Sequence, residues 1–314
     1  MPLPDFPQIT DDLLRSIVSR HQLQATSFYR MPQVGIFNAI YSVGDNLILR
    51  VPRDHPKFVT AARNEAVAVP LARAAGISTP ELVVFDETLD ILPVPYSIYE
   101  RVPGATLENS TSDPAEAGGA WRALGGDLAL LHEGVAFRYP ATLLIAQEQK
   151  TDPRPLPVAI ARAGYFGAAE ARWLNDWLER LAPFAQHEGS PHFLHGDTQA
   201  TNVMVDPESL TYRAVIDWGS CRWGDVAHDF AGVSLRAVPA MLEGYREITG
   251  WGDETIEARI LWRHLQIGLH QLRGEPQPQQ SWAERPTGML LDILRFFIEQ
   301  PDRRWTQWSP TLPR

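Results

Sequence analysis

Cysteine is nearly absent from this sequence, because Cys221 is the single one among 314 residues. One thiol excludes an internal disulfide, and it excludes a zinc site built from several cysteines. Cys221 has no catalytic base or second thiol near it in the sequence, so we interpret it as chemically inert.

Long apolar runs and a surplus of positive charge are also missing. No uninterrupted apolar stretch reaches the length that a membrane-spanning helix needs. The N-terminal segment MPLPDFPQITDDLLRS lacks the basic start and the apolar stretch of a secretory signal. The formal net charge of −10 disfavours nucleic acid and anionic membranes as partners. These absences predict a reduced, cytoplasmic globular protein.

The first hundred residues predict a small α+β unit. Thr10 is a candidate N-cap for the first helix, and Gly44 begins the turn of a predicted hairpin. Pro70 lies inside the second helix pattern, and Gly76 is a candidate C-terminal stop for it. The predicted elements are a helix over 9–23, a hairpin over 37–52, a helix over 57–76, and strands over 79–87 and 94–102.

Beyond Pro103 the pattern is mostly helical. Ser112 or Asp113 is a candidate cap for the first of these helices. The predicted helices cover 111–134, 167–184, 226–237, 239–248, 254–274 and 289–300, and two short strands cover 202–205 and 213–217. We therefore predict a β-rich N-terminal lobe over 1–102 and a mostly helical C-terminal lobe over 103–314.

The segment FLHGDTQATNVMVDPESLTYRAVIDWGS places Asp197, Asn202 and Asp217 beside predicted strands. Phosphoryl transfer needs a carboxylate that orients the attacking hydroxyl and a magnesium ion held near the phosphates. Magnesium prefers oxygen ligands, and one or two carboxylates with phosphate oxygens suffice. We predict Asp197 as the orienting base, and Asn202 and Asp217 as metal ligands. Each aspartate alone could equally be a turn former or a helix cap, and Asn202 alone could be a turn residue.

The combination of HGDTQATN with VIDWGS resembles the aminoglycoside phosphotransferase (choline-kinase-like) family, which has a protein-kinase-like fold. The resemblance implies an α+β, bilobal fold with a nucleotide-binding N-terminal lobe. It implies that Asp197 is the catalytic aspartate, that Asn202 and Asp217 bind magnesium, and that His195 supports the loop.

Further matches extend the resemblance over roughly residues 25 to 235. Gly35 and Asn38 lie in the hairpin that would cover the nucleotide. Arg50 stands where protein kinases carry the phosphate-binding lysine, and Glu65 resembles the helix glutamate that pairs with that cation.

In the segment that resembles the hinge, the backbone of Glu100 and Val102 would meet the adenine edge, and Asp229 resembles a structural anchor. Four features depart from the family pattern, namely the single glycine of the hairpin, Phe37, Gln199 and Val226.

The resemblance implies a Mg-ATP-dependent kinase, with GTP as a possible donor, that phosphorylates a hydroxyl of a small acceptor. Aminoglycosides, macrolides, choline, homoserine and other alcohols remain open, because acids and arginines are balanced from residue 236 onward. A nucleotide-binding pseudokinase without transfer activity and a helical partner-binding protein are the non-enzymatic alternatives. No sequence feature indicates an oligomeric state.

Overall fold

The computed structural model describes residues 3–32, 37–111, 113–137, 142–185, 189–250, 253–273, 288–299 and 301–310. Its helices are α1 (Asp11–Arg20), α2 (Pro56–Ala74), α3 (Leu107–Ser110), α4 (Gly118–Gly134), α5 (Leu156–Arg162), α6 (Ala168–Leu181), α7 (Val238–Thr249), α8 (Ile256–Gln271), α9 (Gly288–Ile298) and α10 (Arg303–Thr306). Its strands are β1 (Phe28–Arg30), β2 (Asn38–Val43), β3 (Leu47–Pro52), β4 (Leu82–Asp86), β5 (Tyr96–Glu100), β6 (Ala105–Thr106), β7 (His192–Leu194), β8 (Val203–Val205), β9 (Tyr212–Val215) and β10 (Arg222–Gly224).

The N-terminal sheet has five antiparallel strands in the order β1-β2-β3-β5-β4. The predicted hairpin is confirmed, since β2 pairs with β3 from Asn38–Pro52 to Val43–Leu47. Thr10 caps α1 as predicted by accepting a hydrogen bond from the backbone N–H of Leu13. The apolar side of α1 packs on the sheet, where Ile17 is buried in one cluster with Leu49 and Ile98.

Helix α2 connects the sheet to the helical part of the molecule. Glu65 on α2 meets the sheet through Arg50 of β3. One to two turns after Glu65, α2 buries three small or apolar residues in the larger cluster that the C-terminal helices form, namely Ala68, Val69 and Ala72. The predicted boundary near residue 102 stays a prediction, because packing crosses it along α2.

Helices α4 and α7 approach each other closely at two glycines. A Cβ atom on Gly125 would collide with the carbonyl oxygen of Met241, and one on Gly244 would collide with that of Arg122. The absent side chains let the two backbones touch, and His132 of α4 lies 3.1 Å from the hydroxyl of Tyr245 on α7. In the part of the chain that the structure describes, no helix combines the length and the apolarity needed to cross a bilayer.

The predicted helix over 226–237 is wrong. A 3-10 turn covers Val226–Phe230, and the chain is then irregular until α7 begins. Two long-range contacts take the helical hydrogen-bonding groups: the Thr198 hydroxyl donates to the Asp229 carbonyl at 2.5 Å, and the Leu235 N–H donates to Asp292 at 2.7 Å. At the predicted cap of the first C-terminal helix, Asp113 accepts from the Ala115 N–H, whereas Ser112 lies outside the described residues.

Candidate active site

The loop after β7 carries the predicted histidine and catalytic aspartate. Gly196 has φ +81°, and a Cβ there would collide with the carbonyl oxygen of Ser220, so the position requires glycine. The Asp197 N–H donates to His195 Nδ1 at 3.2 Å, and His195 Nε2 lies 3.1 Å from the Ile216 carbonyl. A neutral imidazole with its proton on Nε2 satisfies both contacts. Burial lowers the pKa of His195, in agreement with that neutral form.

Asp229 holds this loop by its backbone. Its carboxylate accepts from the N–H of His195 at 2.9 Å and from the N–H of Gly196 at 2.7 Å. His132 of α4 lies 3.0 Å from the same carboxylate and 3.1 Å from the hydroxyl of Tyr245 on α7. Burial alone would raise the pKa of Asp229, but the hydrogen bond and charge of His132 hold it below its ordinary value. The structure thus places Asp229 where an anchor is expected.

Two amide side chains orient the Asp197 carboxylate. Asn202 Nδ2 donates to one carboxylate oxygen at 3.1 Å and to the Asp197 carbonyl at 2.8 Å. Gln199 Nε2 donates to the other carboxylate oxygen. Asp197 itself is half-buried and lines the main cleft of the described structure. With its nitrogen on Asp197, Asn202 has its amide oxygen available for a cation.

Arg50, Glu65 and Asp217 form one charged group, in which Glu65 is buried and Arg50 and Asp217 are half-buried. The Arg50 guanidinium donates to Glu65 and, at 2.7 Å, to Oδ1 of Asp217. Burial opposes the charge of Asp217, but Arg50 more than offsets it and lowers the pKa of that carboxyl. Burial raises the pKa of Glu65 to about 7, although the Arg50 charge acts against this. The predicted pairing of Arg50 with Glu65 is therefore present in the structure.

The remaining predicted nucleotide residues are placed as follows. Asn38 begins β2 and lines the cleft, whereas Gly35 lies outside the described residues. Glu100 ends β5, and its N–H donates to the Glu81 carbonyl at 2.9 Å. On the Glu100 backbone, an adenine or guanine ring could therefore donate a hydrogen bond to the carbonyl oxygen but could not accept one from the N–H. Val102 follows at the end of the sheet and is half-buried.

A cleft of about 850 Å³ extends from Asp197 and Asp217 to the first turns of α2 and the last turns of α8. Glu148 lies in its wall, where its carboxylate accepts from Arg263 of α8 at 2.7 Å and contacts His228 at 3.0 Å. Burial acts to raise the pKa of Glu148, but the hydrogen bond to His228 and the charge of Arg263 lower it by more. The pKa of Glu148 therefore lies below its ordinary value.

Comparison with known proteins identifies the chain. The model of the phosphotransferase enzyme family, APH, matches residues 33–262, which is more than half of the sequence. This chain belongs to that family.

Solved phosphotransferases share its fold. The GDP complex of aminoglycoside 2'-phosphotransferase-IIIa superposes with a TM-score of 0.65 at 15% identity, over 92% of this chain and 100% of the other. The apoenzyme of a macrolide 2'-phosphotransferase from Brachybacterium faecium gives 0.60 at 18% identity, over 96% and 100%. Spectinomycin phosphotransferase with ADP and spectinomycin gives 0.55 at 16% identity, over 94% and 96%. These likenesses show the protein-kinase-like, two-lobed fold that the sequence predicted.

A curated mouse protein, acyl-CoA dehydrogenase family member 10, is 24% identical over 209 residues. The match covers 62% of this phosphotransferase chain but only 19% of the mouse protein. This chain therefore corresponds to about a fifth of that longer protein.

Several site residues of this phosphotransferase were missed by the sequence reasoning. Glu148 and Arg263 face each other from distant parts of the chain, and Tyr245 contacts His132, which in turn contacts Asp229. No local pattern marks these residues. Gln199 did carry a signal, because it departs from the family pattern two residues after the predicted catalytic aspartate, and its amide is one of the two that contact that aspartate.

Proposed function

We propose that this phosphotransferase moves the γ-phosphoryl group of ATP or GTP to a hydroxyl of a small molecule. One observation carries the proposal: Asp197, oriented by Asn202, and Asp217, held by Arg50, line the same cleft. Phosphoryl transfer needs this set of an orienting carboxylate, oxygen ligands and a cation. The GDP and ADP complexes of proteins with the same fold support a nucleotide as donor.

Asp197 accepts a hydrogen bond from the acceptor hydroxyl and aims its oxygen at the γ-phosphorus. A new bond forms between that oxygen and the phosphorus, and the bond to the β–γ bridging oxygen breaks, which releases the nucleoside diphosphate. The hydroxyl proton passes to Asp197 or to water. Arg50 places positive charge beside the α- and β-phosphates of the nucleotide. Positioning and charge stabilisation supply most of the rate in such a site.

The residues present fit a magnesium ion. The amide oxygen of Asn202 and Oδ2 of Asp217 are hard oxygen donors, and phosphate oxygens would complete the set. Within the described ranges no cluster of three or more His, Cys, Asp or Glu side chains is arranged for a metal, so the protein would supply only part of the coordination. When bound, magnesium would neutralise charge on the phosphates.

Thermal melting of the purified protein with ATP or GTP, with and without magnesium, tests this proposal. A ligand that binds the native state raises the melting temperature. We expect a magnesium-dependent rise with one nucleotide or both, which Asp217→Ala abolishes and Asp197→Ala retains. Asp176→Ala is the matched control, since Asp176 is exposed on α6. No rise with either nucleotide would contradict the proposal.

Transfer is then measured with the same variants on an acceptor panel. Asp197→Ala should lose about 10²–10⁴-fold in turnover, the usual contribution of a positioned acid–base group. Near-normal turnover of this variant would show that Asp197 has been assigned the wrong role. Nucleotide binding without transfer to any acceptor would favour the pseudokinase alternative.

A further inference from the structure

Two cationic side chains, those of Lys57 and Arg222, lie in the cleft that Asp197 lines. Lys57 in the first turn of α2 is exposed and lines the cleft, and its Nζ lies 5.9 Å from the ring centre of Phe37. Arg222 at the start of β10 is half-buried in the same cleft, and its Nε donates to the carbonyl oxygen of Ser220 at 3.0 Å. Among the residues that the structure describes, neither side chain forms an ion pair.

The carboxylates nearby are already engaged. Glu148 accepts from Arg263 at 2.7 Å, and Asp225, close behind the same wall, accepts from Arg259 at 2.9 Å. An ammonium group could use either carboxylate only by replacing a buried arginine, and breaking a buried pair leaves an uncompensated charge. In the proposed reaction, Asp197 accepts a hydrogen bond from the acceptor hydroxyl. The wall therefore offers little to a polycationic acceptor.

Helix α2 adds to the positive potential. It has 19 residues, and its first turns, including Lys57 and Phe58, line the cleft. The N-terminal end of a helix carries partial positive charge, which favours an anion in front of it.

Arg222 also lies close to the reacting position. A Cβ atom on Gly196, the residue before Asp197, would be 3.1 Å from Arg222 Nε. A group bound by the guanidinium would therefore lie a short distance from the hydroxyl that Asp197 orients.

We propose that the acceptor is an anionic hydroxy compound. Its carboxylate or phosphate ester is bound by Arg222 and Lys57 while its hydroxyl reaches Asp197. This inference rests on the proposed phosphotransfer function, and it names the charge class of the acceptor for that site.

Binding of a matched series of three-carbon compounds, each with at least two hydroxyl groups, tests the charge class. The probes are glycerate, glycerol 3-phosphate, glycerol and 3-aminopropane-1,2-diol, with kanamycin as a polycation. Melting temperature is recorded at saturating magnesium and a non-hydrolysable nucleotide, so that phosphate sites of the donor are filled. We expect the anionic probes to raise the melting temperature beyond the neutral and cationic ones. The carboxylate and phosphate members separate the two sources of anion.

Three variants connect any preference to the named residues. Arg222→Gln and Lys57→Gln should each weaken anion binding by about tenfold, as expected for a lost charge-assisted hydrogen bond, while the nucleotide-induced rise stays. Arg222→Lys should recover part of the loss. Arg15→Gln removes an exposed arginine of α1 and should change nothing. Lys57→Gln keeps the test valid if Arg222→Gln does not fold.

The outcomes separate the inference from the function on which it rests. A nucleotide-induced rise without anion preference, or an anion preference that survives both glutamine variants, overturns the inference alone. No nucleotide-induced rise overturns the proposed function. Any probe that is phosphorylated should show the same order in kcat/KM, and faster transfer to the amine or to kanamycin would also overturn the inference.

Discussion

Arg50 of β3 donates a hydrogen bond to the carboxylate of Asp217 at 2.7 Å. The same guanidinium donates to Glu65 of α2, so one side chain connects the N-terminal sheet, α2 and the segment after β9. Glu65 depends more than Asp217 on this compensation of its charge, since Glu65 is only 4% exposed whereas the Asp217 side chain is 32% exposed. Four consequences of this and other contacts can be measured.

Replacing Arg50 with alanine should lower the free energy of unfolding by about 3 kcal/mol, because it leaves Glu65 buried without its partner. The measurement is urea denaturation without nucleotide. Arg63→Ala is the matched control on α2. Its pair with Glu87 is 55% exposed on both sides, so its loss should cost less than about 1 kcal/mol. Equal losses in the two variants would contradict the prediction.

Asp229→Asn should destabilise the fold by about 3 kcal/mol, because the amide nitrogen would replace one of the two oxygens that accept from the N–H groups of His195 and Gly196 and would point a donor at that N–H. Tyr245→Phe removes the outer hydrogen bond to His132 and should cost about 1 kcal/mol. Denaturation curves of both variants check the order. A larger loss in Tyr245→Phe than in Asp229→Asn would show that the chain of contacts is not centred on Asp229.

Gly125→Ala should destabilise the protein by about 1–3 kcal/mol, because its methyl group would meet the backbone of Met241 on α7. Gly126→Ala is the control on the next position of α4. Its Cβ would lie 3.8 Å from the side chain of Ile248, an ordinary contact, so this variant should be neutral or more stable. The two melting temperatures should therefore move in opposite directions or differ by several degrees.

His264 should make the protein less stable in mild acid. Burial lowers the pKa of His264 from 6.5 to about 4 in the folded state. The unfolded chain therefore binds the proton first, so this contribution to stability is complete above about pH 6.5 and is lost between pH 6.5 and 4. The loss amounts to about 3 kcal/mol.

The free energy of unfolding of the wild type and of His264→Gln, measured from pH 7.5 to 4, tests this sign. The variant should show a shallower fall toward acid, while the other buried histidines contribute equally to both curves. Parallel curves would exclude His264 as a source of the pH dependence.

Local patterns predicted the elements whose hydrogen bonds are local. The β2–β3 hairpin, α2 and the cap of α1 are of this kind. The sequence could also predict that Asp197, Asn202 and Asp217 belong together, because they lie on one short segment. The predicted helix over 226–237 failed because Thr198, 31 residues before Asp229, takes a carbonyl group that the helix needed.

The acceptor side of the cleft could not be predicted for a similar reason. Lys57 and Arg222 lie far apart in the sequence, and each reads singly as an exposed cation. Only the folded chain shows that they share a cleft in which Glu148 is already neutralised by Arg263. Charge counting over the C-terminal residues gave a balance, whereas the pairing in space leaves Lys57 and Arg222 without a carboxylate partner among the described residues.

Helix α8 separates the parts of the protein that must stay fixed from the parts that can vary. Arg259 and Arg263 secure its middle through Asp225, Asp253 and Glu148. Its last turns project further side chains into the cleft, among them Ile267, His270 and Gln271. Substitutions in this one stretch would change the cleft surface that, in our proposal, meets the acceptor, without removing the ion pairs that hold α8. A few substitutions on a helix that ion pairs hold in place would thus be enough to change the substrate that a family member accepts.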